Sequence, residues 1–145
     1  MVRFMSWHPW RTLRDHHPHI HVTYPNGDNG CLGRWTQDGI QIEASSSQRE
    51  RRCTLTHELV HVERGPVPRD LHFAMREEET VDRISAERLI ELDRLVDVIA
   101  WNRYRIDDEA AEELWVDLPT LLTRVRNLTD DERAFIDDEL ERRQP

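Results

Sequence analysis

The chain has 145 residues, 37% of them hydrophobic and 34% charged, with a formal net charge of −9. That is enough chain for one globular domain with its own core. It contains no apolar run near the roughly 18 residues of a membrane-spanning helix, and residues 1–19 lack the apolar centre of a secretion signal, so a cytoplasmic location is expected.

Cys31 and Cys53 are the only cysteines, too few for a disulfide framework. The charge is unevenly placed. Residues 1–105 carry 15 arginines against 16 acids, whereas residues 106–145 carry 5 against 13, a net of −8. An acidic surface repels phosphate backbones, so direct nucleic-acid binding is not expected, and a protein with a basic face is the better partner.

Residues 1–18, rich in Trp, Arg, His and Pro, predict a short helix or ordered arm. His19 to Tyr24 alternates as a strand does. Pro25 to Gly30 is dense in turn residues, and Asp38-Gly39 between Cys31–Thr36 and Ile40–Ala44 signals a hairpin. A small antiparallel sheet of about three strands follows. Ser47-Gln48-Arg49-Glu50 is a capping box that opens a helix near Gln48, and Gly65-Pro66 stops it.

Residues from Pro66 to about Phe73 read as loop. A helix is expected from about Arg76 to Ile90, continuing or restarting near Asp93 as far as Trp101. Asp107 caps a helix through Leu114. Asp117, with Pro119 in the first turn, caps another through Asn127, and Thr129 to Glu132 is a second capping box. Strands first and helices after predict an α+β domain with a helical C-terminal half. Within it, residues 1–105 form the core unit and 106–145 an acidic helical extension.

The most informative stretch is His57-Glu58-Leu59-Val60-His61. Histidines at i and i+4 lie on one helix face, so both imidazoles reach one metal ion, and Glu58 beside them is placed to take a proton from water. With 8 histidines among 145 residues, random order produces such a match in about 4% of chains, so the flanks must carry the rest. Two imidazoles need a third ligand, and Glu77, Glu78 and Glu79 are offered by the next helix. Its apolar stripe is Val81, Ile84 and Leu89, with Ser85 among them. Glu77 and Glu78 fall on or beside that stripe and Glu79 falls away from it. Asp82, one turn beyond Glu78, suits the free N–H of a ligand histidine. His72 is an alternative ligand in a Pro-bounded loop. The run His16-His17-Pro18-His19-Ile20-His21 reads as strand and loop histidines. Cys53 reads as a small core residue.

The segment Arg51-Arg52-Cys53-Thr54-Leu55-Thr56-His57-Glu58-Leu59-Val60-His61 resembles the ImmA/IrrE family of metallo-endopeptidases, with its R-F-T-x-A-H-E-x-x-H helix. Glu78 to Ile90 is similar, in register, to that family's E-x-x-A-[ND]-x-F-A-x-x-L-L helix. The resemblance covers about residues 30–92 and is looser in the tail. It departs from the pattern at Cys53, where the family has Phe, and at Thr56, where it has Ala. The family's Leu-Leu-Met-Pro ending is absent. The resemblance implies a zincin-like fold, one zinc ion on His57, His61 and Glu78, and Glu58 as general base. It also implies a cytoplasmic protease of phage or mobile-element type that cleaves or antagonises a helix-turn-helix repressor. No oxyanion partner stands out; His72, Arg83 and Tyr104 are the residues considered.

Two other functions compete with peptide hydrolysis. One is a non-catalytic anti-repressor that keeps the metal site as scaffold. The other is a DNA-binding regulator, because Ala110-Ala111, Val116 and Leu121 have helix-turn-helix spacing. The second helix of that unit offers only Arg124 and Arg126 among many acids, which favours a packing unit or a protein-docking surface.

Overall fold

The computed structural model describes residues 7–27 and 31–144. Helix α1 (Pro9–His16) starts on a proline, whose fixed φ and missing N–H suit the first turn. Three short strands follow: β1 (Val22–Thr23), β2 (Gly33–Thr36) and β3 (Gly39–Ile42). The hairpin register pairs Thr36 with Gly39 across Gln37-Asp38. Gly39 has φ +126°, and a Cβ there would lie 2.2 Å from the His21 carbonyl oxygen. Only glycine permits that approach, and it is the approach that docks β1 on β3.

The sheet is mixed, with strand order β1-β3-β2. This corrects the antiparallel expectation at one pairing, because β1 runs parallel to β3 with Val22 opposite Ile40. The chain leaves β1 for the far edge, makes β2, and returns as the central strand, a connection long enough for parallel pairing. The expected strand His19–Tyr24 shrinks to two residues. Of the predicted turn, Asp28-Asn29-Gly30 lies outside the described residues. The Pro25 carbonyl accepts from Ala44 N at 3.0 Å.

Helix α2 (Gln48–Arg64) begins as the sequence predicts. Ser47 accepts from Glu50 N and Glu50 accepts from Ser47 N, so two orphan donors are satisfied reciprocally. Gly65 ends it, with φ +97° and its N–H on the His61 carbonyl. Eight of its residues are buried, from Cys53 to His61, on more than one face. A helix buried on several faces lies at the centre of a fold. On one side Leu55 and Leu59 meet Ile40 and Ile42 of the sheet, with Trp10 and Leu13 of α1. On the other side Cys53 belongs to the core of the helical half. Gly33 lets β2 lie close on α2, since a Cβ there would meet Thr54 Cγ2 at 2.2 Å.

The C-terminal half is α3 (Leu71–Leu89), α4 (Leu92–Trp101), α5 (Asp108–Glu113), α6 (Leu118–Arg126) and α7 (Asp130–Arg143). Helix α3 starts about a turn earlier than predicted, because Asp70 caps it by accepting from Phe73 N. Leu71, Phe73 and Met75 in those first turns are exposed, so no amphipathic pattern marked the start. Glu91 separates α4 from α3. The caps at Asp107, Asp117 and Thr129 are where the sequence places them.

The acidic extension packs on the core. Ala110, Ala111, Leu114, Val116, Leu121 and Ile136 share a cluster with Leu89, Leu95, Val96 and Ile99. Trp115 and Leu122, apolar residues of the same stretch, are exposed. The helix-turn-helix spacing is a packing pattern here: Ala110, Ala111, Val116 and Leu121 are all buried. Arg124 is buried as well, bonded to the Ile90 carbonyl and Glu132, so it is not free to read a base. Among the described residues no helix is long and apolar enough to cross a membrane.

Candidate metal centre

Helix α2 carries His57, Glu58 and His61, and α3 folds back against it. Arg64 donates to both oxygens of Glu77, at 2.7 and 2.8 Å, and Arg88 donates to Glu63 at 3.0 and 2.6 Å. Partly exposed pairs of this kind add little stability, but the paired geometry fixes how α3 is turned. It also separates the two glutamates that helical phase left open. Glu77 is taken by Arg64, whose guanidinium holds it below the usual carboxylate range. Glu78 faces the histidines, and Glu79 is exposed.

Glu78 bridges the imidazoles. Its Oε2 lies 3.2 Å from His57 Nε2 and its Oε1 3.0 Å from His61 Nε2. One ligand atom from each of the three residues can be chosen with all of them within 4.8 Å of one another. Ligands about 2.0–2.1 Å from a tetrahedral ion stand roughly 3.4 Å apart, so the donor set and its spacing fit a divalent ion after small rotations. Asp82 Oδ1 is 3.0 Å from His57 Nδ1. That hydrogen bond leaves Nε2 of His57 as the lone-pair nitrogen facing Glu78. His61 has no such support: its Nδ1 is buried without a hydrogen-bond partner among the described residues. His72 is exposed, stacks edge-on with Phe73 and lies outside the group. Among the described residues, His8, His16, His17, His19 and His21 belong to no group of three possible metal ligands.

Glu58 is 6% exposed. Burial raises its pKa, the two imidazoles oppose the rise, and Glu78 adds to it, leaving the carboxyl above its ordinary value. For His57, burial is the largest effect and works downward. The Asp82 hydrogen bond and the charges of Glu58, Asp82 and Glu78 outweigh it, so the imidazole titrates above its ordinary value. A cleft of about 660 Å³ opens over these groups.

The sequence missed the walls of that cleft. Arg34 and Trp35 of β2 line one side; Pro119, Thr120 and Thr123 of α6 line another. No periodicity or motif marks them, because their position depends on Gly33 seating β2 on α2 and on α6 packing against α3. Of the oxyanion candidates, Arg83 pairs with Glu87, and neither it, His72 nor Tyr104 lines the cleft. Cys53 borders the cleft, and its thiol accepts from Asp117 N at 3.4 Å. Burial pushes that thiol up to about 11.

Compared with known proteins, the chain matches no protein-family model, no curated protein and no solved structure.

Proposed function

We propose that this protein is a metal-dependent endopeptidase. The observation that supports it is the convergence of His57, His61 and Glu78, from two helices, to within 4.8 Å, with buried Glu58 beside them. Two imidazoles and a carboxylate favour zinc. When bound, zinc would supply Lewis acidity that brings the pKa of water to about 7 and polarises a peptide carbonyl. Glu58 takes the proton from the attacking water and passes it to the leaving amine. Burial, which raises its pKa, helps it to hold the proton before passing it on. Asp82 orients His57. Among the described residues the outer edge of β2 pairs with no other strand, and it borders the cleft, so an extended substrate segment has backbone groups to bind beside Glu58.

The family resemblance at residues 51–61 and 78–90 makes a helix-turn-helix repressor, of the phage or mobile-element kind, the substrate we propose. The chain's net charge of −9 suits a basic DNA-binding face. The second reading is a non-catalytic anti-repressor that binds the same partner and keeps the metal site as scaffold. Incubating zinc-loaded protein with a candidate helix-turn-helix repressor, followed by mass spectrometry, separates the two. A peptidase yields defined fragments that Glu58→Gln abolishes while metal content is kept. Tight binding with an intact repressor in both proteins supports the second reading. Failure to take up any divalent ion overturns both.

A further inference from the structure

On the face of α2 near its N-terminal end is a second pocket, of about 410 Å³, bordered by His8, Trp10, Arg52, Glu91, Arg94 and Trp115 among others. Its charge runs against the rest of the molecule. Elsewhere arginines such as Arg49, Arg64, Arg88, Arg124 and Arg143 each meet a carboxylate. Arg52 and Arg94 have no carboxylate partner among the described residues. Arg52 Nη1 donates to the Leu114 and Trp115 carbonyls at 3.4 and 2.9 Å, and Arg94 Nη2 to the Glu113 carbonyl at 3.3 Å. Burial, and then the charge of Arg94, hold Arg52 below its ordinary value. His8 is lowered by burial and then by Arg11 and Arg52, and its Nδ1 is buried with no partner among the described residues. Among the described lining residues the only carboxylate is Glu91.

The aromatic wall is independently unusual. Helix α5 ends with Val116 N on the Ala111 carbonyl and Trp115 N on the Glu112 carbonyl, the paired bonds of a Schellman cap. The left-handed residue of that cap is ordinarily glycine. Here it is Trp115, with φ +60°, and its side chain is 63% exposed. The fold therefore holds a large ring in an unfavourable backbone conformation without burying it. Two unneutralised arginines beside such a ring match a planar ligand that carries an anionic group.

We propose that this pocket binds an aromatic anion of about nucleotide size, its phosphate or carboxylate on Arg52 and Arg94 and its ring against Trp115. Pockets of roughly 300 Å³ and above accommodate such ligands. The pocket shares no lining residue with the cleft over the histidines, and its occupation requires neither metal nor peptide hydrolysis.

Isothermal titration calorimetry of the full chain tests it, with adenosine monophosphate, indole-3-acetate and inorganic phosphate as probes. The expected result is saturable binding of at least one ring-bearing anion with Kd of about 1 mM or tighter, and weaker binding of phosphate alone. Arg94→Gln should weaken the ring-bearing anion by about tenfold or more, the effect of one charge-assisted contact. Trp115→Gly should erase the advantage over phosphate without lowering the thermal midpoint, because glycine suits the left-handed position. No saturable binding of any probe would overturn the proposal. So would binding that Arg94→Gln leaves unchanged, or phosphate binding as tightly as the ring-bearing anions.

Discussion

Replacing Arg124 by alanine should destabilise the protein more than any surface change, and the structure sets the size. Arg124 is 4% exposed. Its Nε donates to the buried Ile90 carbonyl at 3.0 Å and its Nη2 to Glu132 at 2.8 Å, while Nη1 is buried without a partner among the described residues. Breaking a buried pair by deleting one member costs about 3–5 kcal/mol. Glu132 keeps some solvent access and also accepts from Thr129 N, so the lower end, about 3 kcal/mol, applies. An unfolding entropy of roughly 2.1 cal/mol/K per residue gives about 0.3 kcal/mol/K for 145 residues. The midpoint should therefore fall by about 10 °C. Arg124→Met removes the unsatisfied Nη1 and keeps the apolar stem, so its loss should be about half as large. Calorimetric melting of the three proteins measures both. An alanine variant that melts within about 3 °C of the parent, or a methionine variant as damaged as the alanine one, would refute the reasoning.

Zinc at 100 times its dissociation constant should stabilise metal-free protein by about 2.7 kcal/mol, raising the midpoint by roughly 9 °C; His61→Ala should lose the shift and Glu58→Gln keep it, and equal loss in both variants would reverse the assigned roles. Glu132 is lowered chiefly by its Arg124 hydrogen bond, so its contribution is present above the unfolded carboxylate pKa and lost as pH falls through the lower folded one; urea melts should show a shallower acid limb for Glu132→Gln, and an unchanged limb would count against the pair. Iodoacetamide at pH 8 should label exposed Cys31 in the native protein and Cys53 only after unfolding, because Cys53 is buried and its thiol is pushed up to about 11; mass spectrometry showing native labelling of Cys53 would contradict this. Gly39→Ala should cost about 2 kcal/mol or more by driving a Cβ into the His21 carbonyl at a positive φ; a melt within 1 kcal/mol of the parent would show that β1 can yield.

The local chemistry of the chain by itself determined the helix starts at Ser47, Asp107, Asp117 and Thr129, the stop at Gly65 and the turn at Gln37-Asp38, because caps and turns are short-range hydrogen bonds and backbone preferences. It also put His57, Glu58 and His61 on one helix, since four residues make about one turn. The tertiary structure decided what no window of sequence contains. Glu77 and Glu78, about 100° apart on the helix, lie on opposite margins of the same apolar stripe; the Arg64 pair on the facing helix takes Glu77 and leaves Glu78 to the histidines. The parallel pairing of β1 depends on which edge β2 takes, and that is a competition between long-range partners. The exposure of Trp115 could not be read from an apolar stretch whose neighbours Leu114 and Val116 are buried. Its ring is turned outward by the left-handed cap between α5 and α6, whose geometry is fixed by how those two helices pack.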